Sequence, residues 1–169
     1  MYIADRCKSD TSAKCENGGF PHPRDCSKCI CPRGYGGDQC NERPPGCGET
    51  LQATSNWVTL TDMLDRQLSD GDYTECNYWI ESPKGTVIEL QIVDYPWGYV
   101  SAGCSLAGFE IKSNKNQTAT GYRFCTPEVA GWVLRSHTNR LPVMTYSSYL
   151  YTLITSVFQY RYVSASPAS

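Results

Sequence analysis

The sequence predicts an all-β protein: a small disulfide-stapled hairpin unit followed by an antiparallel, jelly-roll-like β-sandwich. Three observations predict it. Six of the ten cysteines lie within the first 40 residues. From Cys47 onward, apolar residues recur with period two, the spacing of a strand that buries one face. No long segment carries a convincing helical period.

The first unit is expected over residues 7–40, after an N-terminal stub of residues 1–6. The stretch "CENGGFPHPRDCSKCICPRGYGGDQC" packs five cysteines between Cys15 and Cys40. Zinc fits them poorly. Cys26-x-x-Cys29 is one knuckle-like pair, but Cys29-Ile30-Cys31 is too tight for a second. The nearby His22 sits between Pro21 and Pro23, which makes it a rigid loop-tip residue. A redox reading of Cys26-x-x-Cys29 also fails, because no strand-then-helix pattern flanks it. Bridges fit better. Beyond Phe20, Ile30 and Tyr35 the segment has almost no apolar side chains, so it cannot bury enough surface to offset its chain entropy. A bridge closing a loop of about 15 residues adds roughly 3 kcal/mol in the chain-entropy model. Bridges persist in oxidising compartments, so a secreted, extracellular protein is expected. The residues alone leave the pairing open.

The second unit is expected over residues 47–163, with residues 164–169 as a C-terminal tail. "NERPPG", residues 41–46, reads as a linker that Pro44-Pro45 makes extended and fairly stiff. In "KGTVIELQIVD", Ile88, Leu90 and Ile92 share one face, with Glu89 and Gln91 opposite. "CNYWIESP" places Tyr78 and Ile80 together. "GWVLRS", "LPVMTYSS" and "LITSVFQYRYV" also read as strands. About eight short strands separated by Gly, Pro, Asn and Ser suit a sandwich.

Composition excludes several functions. The formal charge is −2 and the pI about 5.7, with no basic patch suited to nucleic acid. No run of 18 apolar residues marks a membrane span. "MYIADRCKSD" has no apolar core of a signal peptide, which conflicts with the cysteine pattern. The chain is therefore expected to begin in the middle of a larger protein.

Four features are candidate sites. "DYPWGYVSAGC" places Tyr95, Trp97 and Tyr99 in a loop beside a cysteine, an aromatic contact surface of the kind that dominates binding hot spots. The alternative is that Trp97 folds back onto the sandwich edge. Asn116-Gln117-Thr118 is a glycosylation sequon in the polar run "SNKNQTATG". The uncharged run at residues 141–160 reads as core strands or an exposed Tyr-rich face. His22 and His137 are the two histidines, neither in H-E-x-x-H, and no G-x-S-x-G occurs. No catalytic or metal-ligating constellation is assembled.

Two resemblances extend this reading. C-x-C-x-x-G-Y-x-G-x-x-C from Cys29 to Cys40, with "CENGG" upstream, resembles an EGF-like domain. That resemblance implies the pairs Cys7–Cys26, Cys15–Cys29 and Cys31–Cys40, with Gly34 and Gly37 at positive φ and Tyr35 on the last bridge. Only Asp5 precedes the first cysteine, so the acidic cluster of calcium-binding members is missing. "CGETL", "CNYWIESPKGTVIELQI", "CSLAGFEI" and "FC" resemble a CUB domain and imply Cys47–Cys76 and Cys104–Cys125. Where calcium-holding members carry aspartates, this chain has Ala107 and Ser148. Asp70, Asp72 and Glu75 alone do not make a calcium site.

An EGF-like domain followed by a CUB domain resembles the non-catalytic C-terminal region of astacin-type zinc metalloproteases, the nematode type in particular. The resemblance implies a binding-module pair that positions a protease on an extracellular protein substrate, matrix or partner, or that meets the catalytic domain itself. The alternative is a fragment of a complete zinc metalloendopeptidase whose catalytic domain lies outside this chain. Zinc would belong to that domain, and no cofactor is expected here. A free-standing EGF-like signalling ligand fits less well, given the attached second unit and the stiff linker.

Overall fold

The computed structural model describes residues 7, 11–65, 73–97, 100–148 and 153–165. The first unit is a hairpin of β1 (Phe20–His22) and β2 (Asp25–Ile30), antiparallel, with Phe20 opposite Ile30. Three bridges staple it: Cys7–Cys26, Cys15–Cys29 and Cys31–Cys40. Two more, Cys47–Cys76 and Cys104–Cys125, lie in the second unit, and all ten cysteines are paired. Gly34 and Gly37 have φ of 87° and 78°, the left-handed region open to glycine.

The second unit is a sandwich of nine described strands. β3 (Thr50–Gln52), β4 (Val58–Asp65), β5 (Thr74–Glu81) and β6 (Thr86–Asp94) come first. β7 (Ala107–Ile111), β8 (Tyr122–Phe124), β9 (Val133–Arg135), β10 (Arg140–Ser147) and β11 (Leu153–Ser164) follow. One sheet has the order β3-β5-β10-β7-β8, the other β4-β11-β6-β9. The all-β, jelly-roll-like expectation stands, with one departure from antiparallel pairing. β3 runs parallel to β5, with Thr50 opposite Trp79. The Cys47–Cys76 bridge lies near the starts of both strands, so both leave it in the same direction. Gly48 permits this approach, since a Cβ there would come within 1.9 Å of the Asn77 carbonyl oxygen.

The core lies between the sheets. Leu60 and Leu64 of β4, Ile88, Leu90 and Ile92 of β6 and Phe158 of β11 face Ile80, Phe109 and Val143 across it. Each such side chain contributes roughly 1.5–3 kcal/mol by leaving water. β6 and β11 alternate buried and less buried positions, as one-sided strands do. β5, β7 and β10 do not, because their outward residues are buried too. The first unit covers that outer face. Among the described residues no helix is long and apolar enough to cross a membrane.

Candidate functional site

The outer face of the five-stranded sheet carries Trp79 on β5, Met144 and Tyr146 on β10 and Glu110 on β7, followed by Lys112. Onto it packs the turn Pro32–Gly37 of the first unit. Tyr35 clusters with Cys40 and with Trp79, ring centroids 5.6 Å apart. The Trp79 indole Nε1 donates to the Gly34 carbonyl at 2.8 Å. The Arg140 guanidinium, paired with Glu81 at 2.7 Å, stacks 3.9 Å from the centre of the Trp79 ring. Arg43 of the linker donates to the Asn77 carbonyl at 3.2 Å.

Charges complete the seam. Arg33 reaches Glu75 and Glu110, both at 3.2 Å, and lies 4.9 Å from the centre of the Tyr146 ring. Glu110 is 0% exposed and also accepts from Arg123 at 3.0 Å and from the Gly121 N–H at 2.8 Å. Burial works against the Arg33 charge, and the two carboxylates outweigh it, holding its pKa above the ordinary value. Lys112, 1% exposed, donates to the carbonyls of Arg33 at 2.9 Å and Gln117 at 2.5 Å. Burial pulls its pKa down, and nearby Glu110 opposes that. The Tyr35 hydroxyl donates to Gln117 at 2.7 Å, and burial pushes its pKa up to about 12. These donors are spent on protein acceptors, so the seam is a structural joint rather than a reaction centre. Among the described residues no three His, Cys, Asp or Glu side chains are grouped to hold a metal ion.

The expected aromatic surface divides. Tyr95 is not on it: the residue is 1% exposed and meets Phe109 edge-on at 5.3 Å. A β-bulge is the cause. Val157 pairs with Asp94 and Phe158 with Ile92, so Val93 is the extra residue. One extra residue reverses the alternation, and Tyr95 turns inward where a regular strand would turn it outward. Trp97 stands free, 72% exposed. Tyr99 lies outside the described residues, as do Asp70 and Asp72. Trp132, read only as part of a strand, is 56% exposed. It lies beside the end of β6, its carbonyl accepting from the Ile92 N–H at 2.9 Å, three residues before Tyr95. Phe124 meets the Trp132 ring edge-on at 6.0 Å. The two most exposed indoles therefore lie near the end of β6, while Trp57, 37% exposed, has Arg161 over its ring 4.5 Å from the centre.

The other positions singled out in the sequence have distinct settings. Ala107 is buried, and Ser148 donates from its hydroxyl to the Leu106 carbonyl at 2.7 Å. Glu75 is taken by Arg33. The His22 ring accepts from the Arg24 N–H at 3.1 Å within its own turn. Asn116 is exposed between β7 and β8.

No family model matches the chain. It is 41% identical over 162 residues to zinc metalloproteinase nas-31 of Caenorhabditis elegans, covering 95% of this chain and 26% of that protein. Zinc metalloproteinases nas-32 and nas-25 of the same organism are 34% and 36% identical, over 95% and 94% of this chain. The chain spans about a quarter of the length of the first two. Among solved structures, the CUB1-EGF-CUB2 domains of rat MASP-1 match 90% of this chain and 54% of theirs, with a TM-score of 0.50 and 17% identity. The full extracellular region of zebrafish Gpr126/Adgrg6 matches 72% of this chain and 15% of its own, with a TM-score of 0.53 and 18% identity. The chain is thus an EGF-like unit joined to a CUB-type sandwich, similar along nearly its whole length to a segment of the nematode astacin-type zinc metalloproteinases.

Proposed function

We propose that this chain is an extracellular, non-catalytic pair of binding modules that positions a zinc metalloproteinase on a protein substrate, a matrix protein or a partner. The observation that carries the reading is the pair of exposed indoles near the end of β6, Trp97 and Trp132, the most exposed of the four tryptophans. Large aromatics held on a rigid scaffold are the commonest anchors of protein recognition. The seam supports the same reading, because it fixes the EGF-like unit on the far face of the five-stranded sheet and leaves that end open. Zinc and peptide hydrolysis belong, in this reading, to a catalytic domain outside the chain. The small share of each relative that the chain spans favours that arrangement.

The purified chain should compete with the 41% identical proteinase for protein substrates, slowing their cleavage while a short peptide is cleaved at an unchanged rate. Replacing both Trp97 and Trp132 by Ala should abolish the competition with the melting temperature little changed. Equal inhibition of peptide and protein cleavage, or competition that survives both replacements, would overturn the proposal.

A further inference from the structure

We propose that Asn116 carries an N-linked glycan, and that the glycan must be attached before the EGF-like unit docks on the sandwich. The proposal rests on the extracellular reading above and adds a modification site and an order of events.

The sequon occupies the polar turn between β7 and β8, and its three residues have three different surroundings. Asn116 is exposed. Its Oδ1 accepts from the Thr118 N–H at 3.0 Å and from the Thr118 hydroxyl at 2.6 Å. Nδ2, the atom that would bear the sugar, has no acceptor among the described residues. Gln117 is pinned. Its Nε2 donates to the carbonyls of Lys112 at 3.1 Å and Asn114 at 2.6 Å, and its Oε1 accepts from Tyr35 of the EGF-like unit. Its own carbonyl accepts from Lys112 Nζ. Thr118 lies against Gly18 of the EGF-like unit so closely that a Cβ on Gly18 would come within 2.1 Å of the Thr118 methyl.

The finished protein therefore accommodates a sugar at Nδ2 without disturbing any described contact. It does not, however, offer the sequon to an enzyme. A transferase that reads asparagine and threonine together needs the stretch pulled free of its fold. Here the threonine hydroxyl is spent on Asn116, its methyl is held by Gly18 and the residue between is clamped by Lys112 and Tyr35. The acceptor exists in the chain before docking. In the transfer, Asn116 Nδ2 forms a bond to the anomeric carbon of an oligosaccharide carried on a lipid pyrophosphate. The anomeric carbon–oxygen bond breaks, the lipid pyrophosphate leaves with the bonding pair, and one amide proton passes to base. No oxidant or reductant is needed. The sugar then stands at the rim of the seam, over the place where Gly18 meets Thr118.

The full chain, secreted from eukaryotic cells behind an added leader, should show Asn116 converted to Asp by peptide-N-glycosidase in heavy-oxygen water. Thr118→Ala should abolish the conversion and Thr118→Ser should restore it. In microsomes supplied with lipid-linked donor, the reduced, unfolded chain should be modified faster than the oxidised, folded chain by about tenfold or more, since folded acceptor must await local opening. A secreted chain with no free thiol and an unmodified Asn116 would overturn the glycan. Equal modification of folded and unfolded chain would overturn the order of events. Thiol titration separates these outcomes from failure of the extracellular reading: a chain retained with free thiols counts against that reading, while occupancy of Asn116 in the retained material still decides the glycan.

Discussion

Tyr35 and Trp79 lie 44 positions apart in sequence, and their rings pack 5.6 Å apart across the seam between the two units. The same indole donates to the Gly34 carbonyl and receives Arg140 on its face. Removing it should loosen both units. Trp79→Ala is expected to cost about 3–5 kcal/mol, the range for truncating a buried aromatic. Trp79→Phe keeps a ring but loses the indole donor and should cost less, with roughly 1–3 kcal/mol for the unpartnered Gly34 carbonyl. Denaturant unfolding reads both, and proteolysis within residues 41–46 should accelerate in Trp79→Ala. Unchanged cleavage of the linker would show that the seam does not restrain it.

Glu110 and Arg33 give a second test. Glu110 is buried between Arg33 and Arg123, so Glu110→Gln leaves two cations facing a neutral amide and should cost about 3–5 kcal/mol. Arg33→Met leaves Glu110 its bonds to Arg123 and Gly121 and should cost less. The two changes should be non-additive by roughly 1–3 kcal/mol, measured in a double-mutant cycle. Additivity would mean that Arg33 and Glu110 do not act on one another.

Asp62 sets a pH dependence. It points into the sandwich core, where it accepts from the Tyr78 hydroxyl at 2.6 Å. Burial raises its pKa above the ordinary carboxylate value, and the bond from Tyr78 only partly offsets this. The folded state therefore holds this proton more tightly than the unfolded chain. The contribution of Asp62 is greatest below the unfolded value of about 4 and is lost as pH rises through the folded value. Asp62→Asn imitates the neutral form and keeps the acceptor for Tyr78. It should be more stable than the parent at pH 7, by a margin that shrinks below pH 4. A destabilised Asp62→Asn at pH 7 would show that the carboxylate is needed charged.

Calcium near 1 mM, the weak end for extracellular sites, should leave the melting temperature unchanged. A ligand at a hundred times its dissociation constant adds about 2.7 kcal/mol, several degrees for a domain this size. Glu75 is committed to Arg33, Ala107 is apolar and Ser148 donates to a carbonyl. A rise that chelator reverses, and that Asp72→Ala removes, would place a site in the stretch 66–72.

Much of this fold is legible in the sequence where burial is one-sided. Ile88, Leu90 and Ile92 announce β6 because the opposite face carries Glu89 and Gln91, which remain partly in water. The same logic fails for Trp79, Glu110 and Lys112. By alternation they belong outside, and their burial depends on Arg33, Gly34 and Tyr35, more than 40 positions earlier. Neither segment contains a signal of the other. The exposed aromatic surface departs from the sequence pattern for two different reasons. Tyr95 is buried by the bulge at Val93, a change of phase that composition does not encode. Nothing in "GWVLRS" separates Trp132 from the strand residues that follow it. Only its place at the sheet margin leaves it in solvent.

The docking of Arg33 and Tyr35 on the outer sheet has a mechanical consequence. Pro44-Pro45 alone would let the first unit swing through a cone of directions. With the turn clamped to β5 and β10, a force on the Cys7–Cys26 bridge would reach the sheet as torque. The distance and angle from the Pro32–Gly37 turn to Trp97 and Trp132 are then set by side-chain packing. Loosening Trp79 would blur that measure without altering either end.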